Sequence, residues 1–299
     1  MRGSFTTLLI FCFSIILPCQ AMAQATDSKR SALGKDKIAA RVEFLASELL
    51  TSDSFKVRLQ AANILGQLKD PMGVKPLIIA LGDEHFAVRG QAAIGLGAIG
   101  DPSAVPDLIN ILKHDEEPWV RKEAARALGH LNHKDTVPAL IDALKDKRWK
   151  VRLAAAQSLG MVGNEKAVNA LVAVLDNALE AEKVRDAAMR SLVMLRDYID
   201  AGTQVLTLKR DPDRNKRSRS ARLLGIVGGP LAVDALLDGL NDKDTAVKLA
   251  VIETLEKIGD TQAIEPLETV LRHEKDQLVS RRIKNCLKIL KMHLPQRNE

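Results

Sequence analysis

The sequence predicts an all-α fold, a solenoid of stacked helix–turn–helix units. Three observations lead there. One helix–turn–helix pattern returns along the 299 residues with a period of 31 to 33. Within each unit the apolar residues recur at helical spacing. Alanines sit on the same stripe, and small side chains let a second helix approach to the roughly 8–10 Å of packed helices.

The segment from Asp115 to Leu144 shows the unit most clearly. Asp115 is placed to cap the first helix, its carboxylate accepting from free N–H groups of the first turn. Val120, Ala124, Leu128 and Leu131 form the stripe, which Ala125 and Ala127 widen. Gly129 ends the regular pattern and, like Gly66, Gly97 and Gly160, reads as a turn glycine. The second helix carries Val137, Leu140, Ile141 and Leu144, with Pro138 near its start, where a missing N–H does no harm.

The repeats align in columns. Val-Arg stands at 57–58, 88–89, 120–121, 151–152 and 184–185, and weakens to Lys216-Arg217 and Val247-Lys248. Eight residues after each first member comes Leu65, Leu96, Leu128, Leu159, Leu192, Leu224 or Leu255, with Leu287 completing the column. The second helices close on Leu81, Leu112, Leu144, Leu175, Leu208, Leu240 and Leu271, and Leu50 fits one repeat earlier.

This pattern, an acidic cap, then V-R-x-x-A-A-x-x-L-G, a turn, then A-x-x-x-L-x-x-x-L, resembles the HEAT-like repeat of the phycobilisome-lyase type. The resemblance runs from Asp53 to Leu290 and implies a right-handed α-solenoid. It leaves activity open, because that repeat family includes scaffolds, bilin lyases, a diiron hydroxylase and DNA glycosylases.

Seven repeats are expected over residues 53–276, between a capping helix at 35–52 and another at 277–293. The N-terminal cap would bury Ile38, Val42, Leu45 and Leu49 on one face. Residues 1–25 read as a secretory signal peptide: Arg2, an apolar run from Leu8 to Leu17, then small residues around Ala21, Ala23 and Ala25. Residues 26–34 read as a linker and 294–299 as a loose tail. The mature protein is thus expected to be exported, to a periplasm or to the outside. Cys12 and Cys19 would leave with the signal, so Cys286 stands alone and reads as a small core hydrophobe or as a free thiol that pairs with a partner. The fifth unit carries Val193, and the seventh Glu256, where the pattern has Gly.

Three constellations are candidates for contact. From Lys209 to Arg222 there are seven basic residues, among them Arg214, Lys216, Arg217 and Arg219, against Asp211 and Asp213. Such a cluster reads as a solvated helix start and loop, or as a site that attracts acidic proteins, polyanionic glycans or lipid surfaces; without an aromatic to stack on bases it does not suggest nucleic acid. The Arg column itself reads either as an anion-binding rail or as an Arg–Asp ladder between units, of exposed pairs that contribute little each. Phe55, Phe86, Trp119 and Trp149 precede the Val of repeats one to four and fall along one edge, about 10 Å apart by helix packing. They read as a contact row for peptides or sugars, or as rings that plug the loops between units.

No catalytic set is legible. His130 and His133 bracket a helix end with no Cys or carboxylate to complete a metal set. Where the hydroxylase branch carries His-Glu, this chain has Lys122-Glu123. No phosphate-binding glycine loop or nucleophile elbow occurs. The expected function is therefore a non-enzymatic, exported scaffold that binds another protein on the concave face lined by second helices, with no cofactor and no metal. The resemblance implies an alternative, a lyase-like enzyme or subunit acting on a tetrapyrrole or a protein, against which export weighs. A third reading is attachment to an anionic envelope surface through the basic stretch.

Overall fold

The computed structural model describes residues 36–177 and 179–292. The segments read as signal peptide, linker and tail lie outside them. The described residues form helices and turns without a strand, in two compact units that divide after Ala104.

The first unit holds α1 (36–51), α2 (Phe55–Leu68), α3 (Val74–Ala80) and α4 (Phe86–Ile99). On α1, Val42, Leu45 and Leu49 are buried, whereas Ile38 and Leu50 are each 43% exposed. The expected face is thus one residue shorter, and Leu49 rather than Leu50 occupies the Leu column. Val57 is exposed, unlike Val88, Val120, Val151 and Val184. No first helix precedes α2 among the described residues, so Val57 has no such neighbour to pack against.

The second unit begins with α5 (Val105–His114), α6 (Pro118–Leu131), α7 (Val137–Ala143), α8 (Trp149–Val162), α9 (Glu165–Asp176) and α10 (Glu182–Met194). It continues with α11 (Ala201–Arg210), α12 (Arg214–Val227), α13 (Pro230–Gly239), α14 (Thr245–Ile258), α15 (Ile264–His273) and α16 (Gln277–Met292). First helices pack on first helices: α6 on α8, α8 on α10, α12 on α14 and α14 on α16. Their partners α7, α9, α11, α13 and α15 pack alongside. The Leu column of the first helices, Leu128 through Leu287, is buried throughout.

The glycines do a different job from the one expected. Gly66, Gly97, Gly129 and Gly160 lie inside their helices and are buried. The left-handed residues that end the helices are Lys69, Gly100, Asn132 and Gly259. A Cβ on Gly66 would lie 2.6 Å from the Gly95 Cα, and one on Gly129 would lie 2.5 Å from the Ser158 Oγ. These positions set how closely successive first helices approach. Polar stitches cross the same seams: Ser158 Oγ donates to the Ala125 carbonyl and Ser191 Oγ to the Ala156 carbonyl, both at 2.8 Å. Buried bonds of this kind contribute about 1 kcal/mol each. Cys286 takes the corresponding place on α16, its thiol 3.8 Å from the Ile252 carbonyl.

The fifth repeat breaks the column. Val193 stands where glycine allows contact elsewhere, and α10 touches α12 only lightly. Val193, Met194 and Tyr198 are left exposed at that helix end and its turn.

Candidate functional site

The loops that precede the first helices are built alike. An acidic side chain accepts from the backbone N–H two residues on: Asp83 from His85, Asp115 from Glu117, Asp146 from Arg148, and Asp242 from Asp244, at 2.8 to 2.9 Å. Asp115 therefore shapes the turn, and the N-cap of α6 is Glu117. At Asp83, Asp146 and Asp242 the arginine of the preceding repeat grips the same carboxylate. Arg58 reaches Asp83, Arg121 reaches Asp146 and Arg217 reaches Asp242 through Nε and Nη2, at 2.6 to 3.0 Å. Arg152 does the same with Glu180 at 2.7 Å.

The third nitrogen, Nη1, donates to two carbonyls of the arginine's own loop, as Arg121 does to Asp115 and Glu116. A planar fork with five donors satisfies both loops at once, which a lysine ammonium does not. The Arg column is thus an internal ladder rather than an anion rail. Its pairs are largely buried, with side chains 5 to 19% exposed, and so differ from the exposed pairs expected. Burial pushes the Asp83, Asp146, Glu180 and Asp242 carboxyls up. The guanidinium and backbone hydrogen bonds outweigh it and hold each below its ordinary value. Arg58, Arg121 and Arg217 are correspondingly raised, chiefly by the hydrogen bond to the acid.

This ladder dismantles much of the basic stretch. Arg217 is 4% exposed and fully engaged, so it is withdrawn as a contact residue. Lys209 pairs with Asp238 at 2.7 Å. Arg214 lies 3.7 Å from Asp244 and Lys216 3.7 Å from Asp211. Arg219 is half-buried. The positive charge is spread among Asp211 of its own loop and Asp238, Asp242 and Asp244 of the segments that follow.

The aromatic row divides in two. In the first unit Phe55 stacks on His85, with centroids 3.9 Å apart and planes within 6°, and His85 lies 5.0 Å from Phe86. Phe55 thus plugs the loop ahead of the next repeat, while Phe86 is 44% exposed. In the second unit Trp119 and Trp149 open a groove. Trp119 is the second residue of α6 and Trp149 the first of α8, so both rings sit at the helix starts, beside the Asx-shaped loops. The groove has a volume of about 480 Å³ and is lined by Glu117, Pro118, Trp119, Lys122, Arg148, Trp149 and Lys150. Lys150 and Lys183 place ammonium groups 5.8 and 5.7 Å from the Trp149 ring centroid, within cation–π range.

Lys183 reaches the ring from the following repeat, so only the fold brings it to Trp149. The local signal was Arg148-Trp149-Lys150, a ring between two basic residues. Glu123 was also missed. It is 6% exposed and lies 2.7 Å from Lys122 Nζ and 3.8 Å from Arg126. Among the described residues no group of three or more His, Cys, Asp or Glu is placed to hold a metal ion. No helix among them is long and apolar enough to cross a membrane.

The family model for HEAT repeats matches residues 42–115, 105–193 and 203–288, and the chain belongs to the HEAT-repeat family. A solved chain from the complex of CpcE and CpcF of phycocyanin lyase from Nostoc sp. PCC7120 is similar to it. That chain is 27% identical, with a TM-score of 0.46, over 83% of this chain and 94% of that one. Human deoxyhypusine hydroxylase, solved with glycerol, is 20% identical, with a TM-score of 0.41, over 87% of this chain and 99% of that one. An engineered protein is 22% identical, with a TM-score of 0.46, over 84% and 78%. No curated protein sequence matches the chain.

Proposed function

We propose that this protein is an exported, non-enzymatic HEAT-repeat scaffold whose work is to hold another protein. The observation that carries the reading is the open Trp119–Trp149 groove with its basic rim. Large aromatics on an accessible edge, beside charged groups that can steer a partner, are what interfaces use as anchors. Around it, the arginine ladder and the glycine seams are committed to structure. Export is proposed from the Arg2, apolar and small-residue succession of residues 1–25.

The test is affinity capture with the tagged full-length chain from the envelope fraction of its native source, at low and moderate salt, with proteins identified by mass. The reading expects one dominant protein that survives moderate salt. Recovery of no protein at either salt overturns it. If the purified chain then bound a tetrapyrrole, with a shifted absorbance, the lyase-like alternative would replace it.

A further inference from the structure

We infer that the Trp119–Trp149 groove receives an acidic, extended segment of the partner, one with an apolar side chain set between carboxylates. The inference rests on the scaffold reading and adds the chemistry of what is held. Three features lead to it.

The first is apolar. Two indoles and the Pro118 ring line one groove, which accommodates an aromatic or branched side chain. The second is charge. The groove sets Lys122, Arg148 and Lys150 against Glu117. Lys122 shares its charge with Glu123 beneath it, whereas Arg148 and Lys150 are exposed. The third is continuity. A depression of about 660 Å³ adjoins the groove, sharing Glu117, Pro118 and Arg148 with it. It adds Lys113, Lys145 and Lys147 against Asp115 and Glu116, while its Arg121 and Asp146 are paired to each other. Positive charge thus continues beyond the aromatic pocket, as a segment several residues long requires.

The charged side chains of the groove are Glu117, Lys122, Arg148 and Lys150; three of the four are cations suited to carboxylates, and the apolar lining between them suits the apolar side chain that a peptide carries and an anionic glycan lacks.

The experiment uses a feature of the composition. The chain has two tryptophans, and both line the groove, so intrinsic emission reports on it directly. A short synthetic peptide of glutamates around a central phenylalanine is titrated into the full chain, beside one with lysine for glutamate and one with alanine for phenylalanine. A mixed-charge-free anionic oligosaccharide serves as the glycan probe. The expected result is a saturable emission shift with the first peptide, weaker with the alanine peptide and absent with the lysine peptide. Binding should weaken steeply with salt and by roughly tenfold or more in R148E/K150E, as for reversing two interfacial charges. Both positions are exposed, and an unchanged melting curve checks that the variant folds. The wild-type salt series needs no variant.

No saturable shift, an equal response to the lysine peptide, indifference to salt, or stronger binding of the oligosaccharide overturns the inference. The two proposals fail separately. If a captured partner is held equally by R148E/K150E, the acidic-segment inference falls, while the capture itself still supports the scaffold. If nothing is captured, the scaffold reading falls.

Discussion

Arg214 and Arg217 are three residues apart and have opposite fates. Arg217 spends its donors on Asp242 and on the carbonyls of Asp211 and Pro212, while the Arg214 side chain is 64% exposed, 3.7 Å from Asp244. Removing Arg217 leaves a buried carboxylate and two loop carbonyls unpaired. Arg217→Ala should lower the unfolding free energy by about 3 kcal/mol in urea titration, and Arg214→Ala by less than about 0.5 kcal/mol. Equal effects would contradict the ladder. Cys286 gives a second test at this scale. Burial and the neighbouring Glu256 push its thiol up to about 11, and reactivity follows the thiolate. Labelling by iodoacetamide should be slow in the native protein and become fast once denaturant unfolds it. The Val-Arg spacing and the acidic column were both legible as sequence. The burial of Arg217 was not, because its neighbours Lys216 and Arg219 give the local text of a solvated face. What buries it is an aspartate 25 residues away.

Helices were legible as elements because their apolar stripes repeat without interruption. Six of the first helices, α2, α4, α6, α8, α12 and α14, have 14 residues each, while α10 has 13 and α16 has 16. The glycines were legible as a column but misread as turns, since glycine serves both left-handed ends and close contacts. Local text does not say which; the neighbour across the seam does. Gly129→Ala should therefore cost about 1–3 kcal/mol through overpacking against Ser158. Gly202 lies near the start of α11, where an added Cβ meets only ordinary contacts with Asp200. Gly202→Ala should leave stability unchanged or raise it by up to about 1 kcal/mol. Thermal melts followed by circular dichroism separate the two.

Across the whole molecule the ladder sets the response to acid. Asp83, Asp146, Glu180 and Asp242 have folded values below their ordinary ones of 3.8 and 4.5. In mild acid the unfolded chain then binds more protons than the folded one. The stability these groups contribute is complete above their unfolded values and is lost as pH falls through the folded ones. Urea midpoints should hold between neutral pH and about pH 5 and drop by about pH 3. Asp146→Asn should flatten part of that slope.

At this scale the repeat architecture was almost wholly legible, because every unit restates it. The groove was half legible. Trp119 and Trp149 were visible as a row, and Arg148 and Lys150 flank Trp149 in sequence, whereas Lys122 and Lys183 come from the neighbouring repeats and join them only by stacking. The basic stretch at 209–222 was the louder signal and the weaker site, since all but Asp211 of its paired aspartates, namely Asp238, Asp242 and Asp244, come from later segments.

The central claim is that this chain holds a protein partner through the Trp119–Trp149 edge. The most direct measurement is affinity capture at moderate salt with wild-type protein and R148E/K150E side by side. The account predicts one dominant protein with the wild type and its depletion with the variant. Equal recovery by both, or nothing recovered by the wild type, would contradict it.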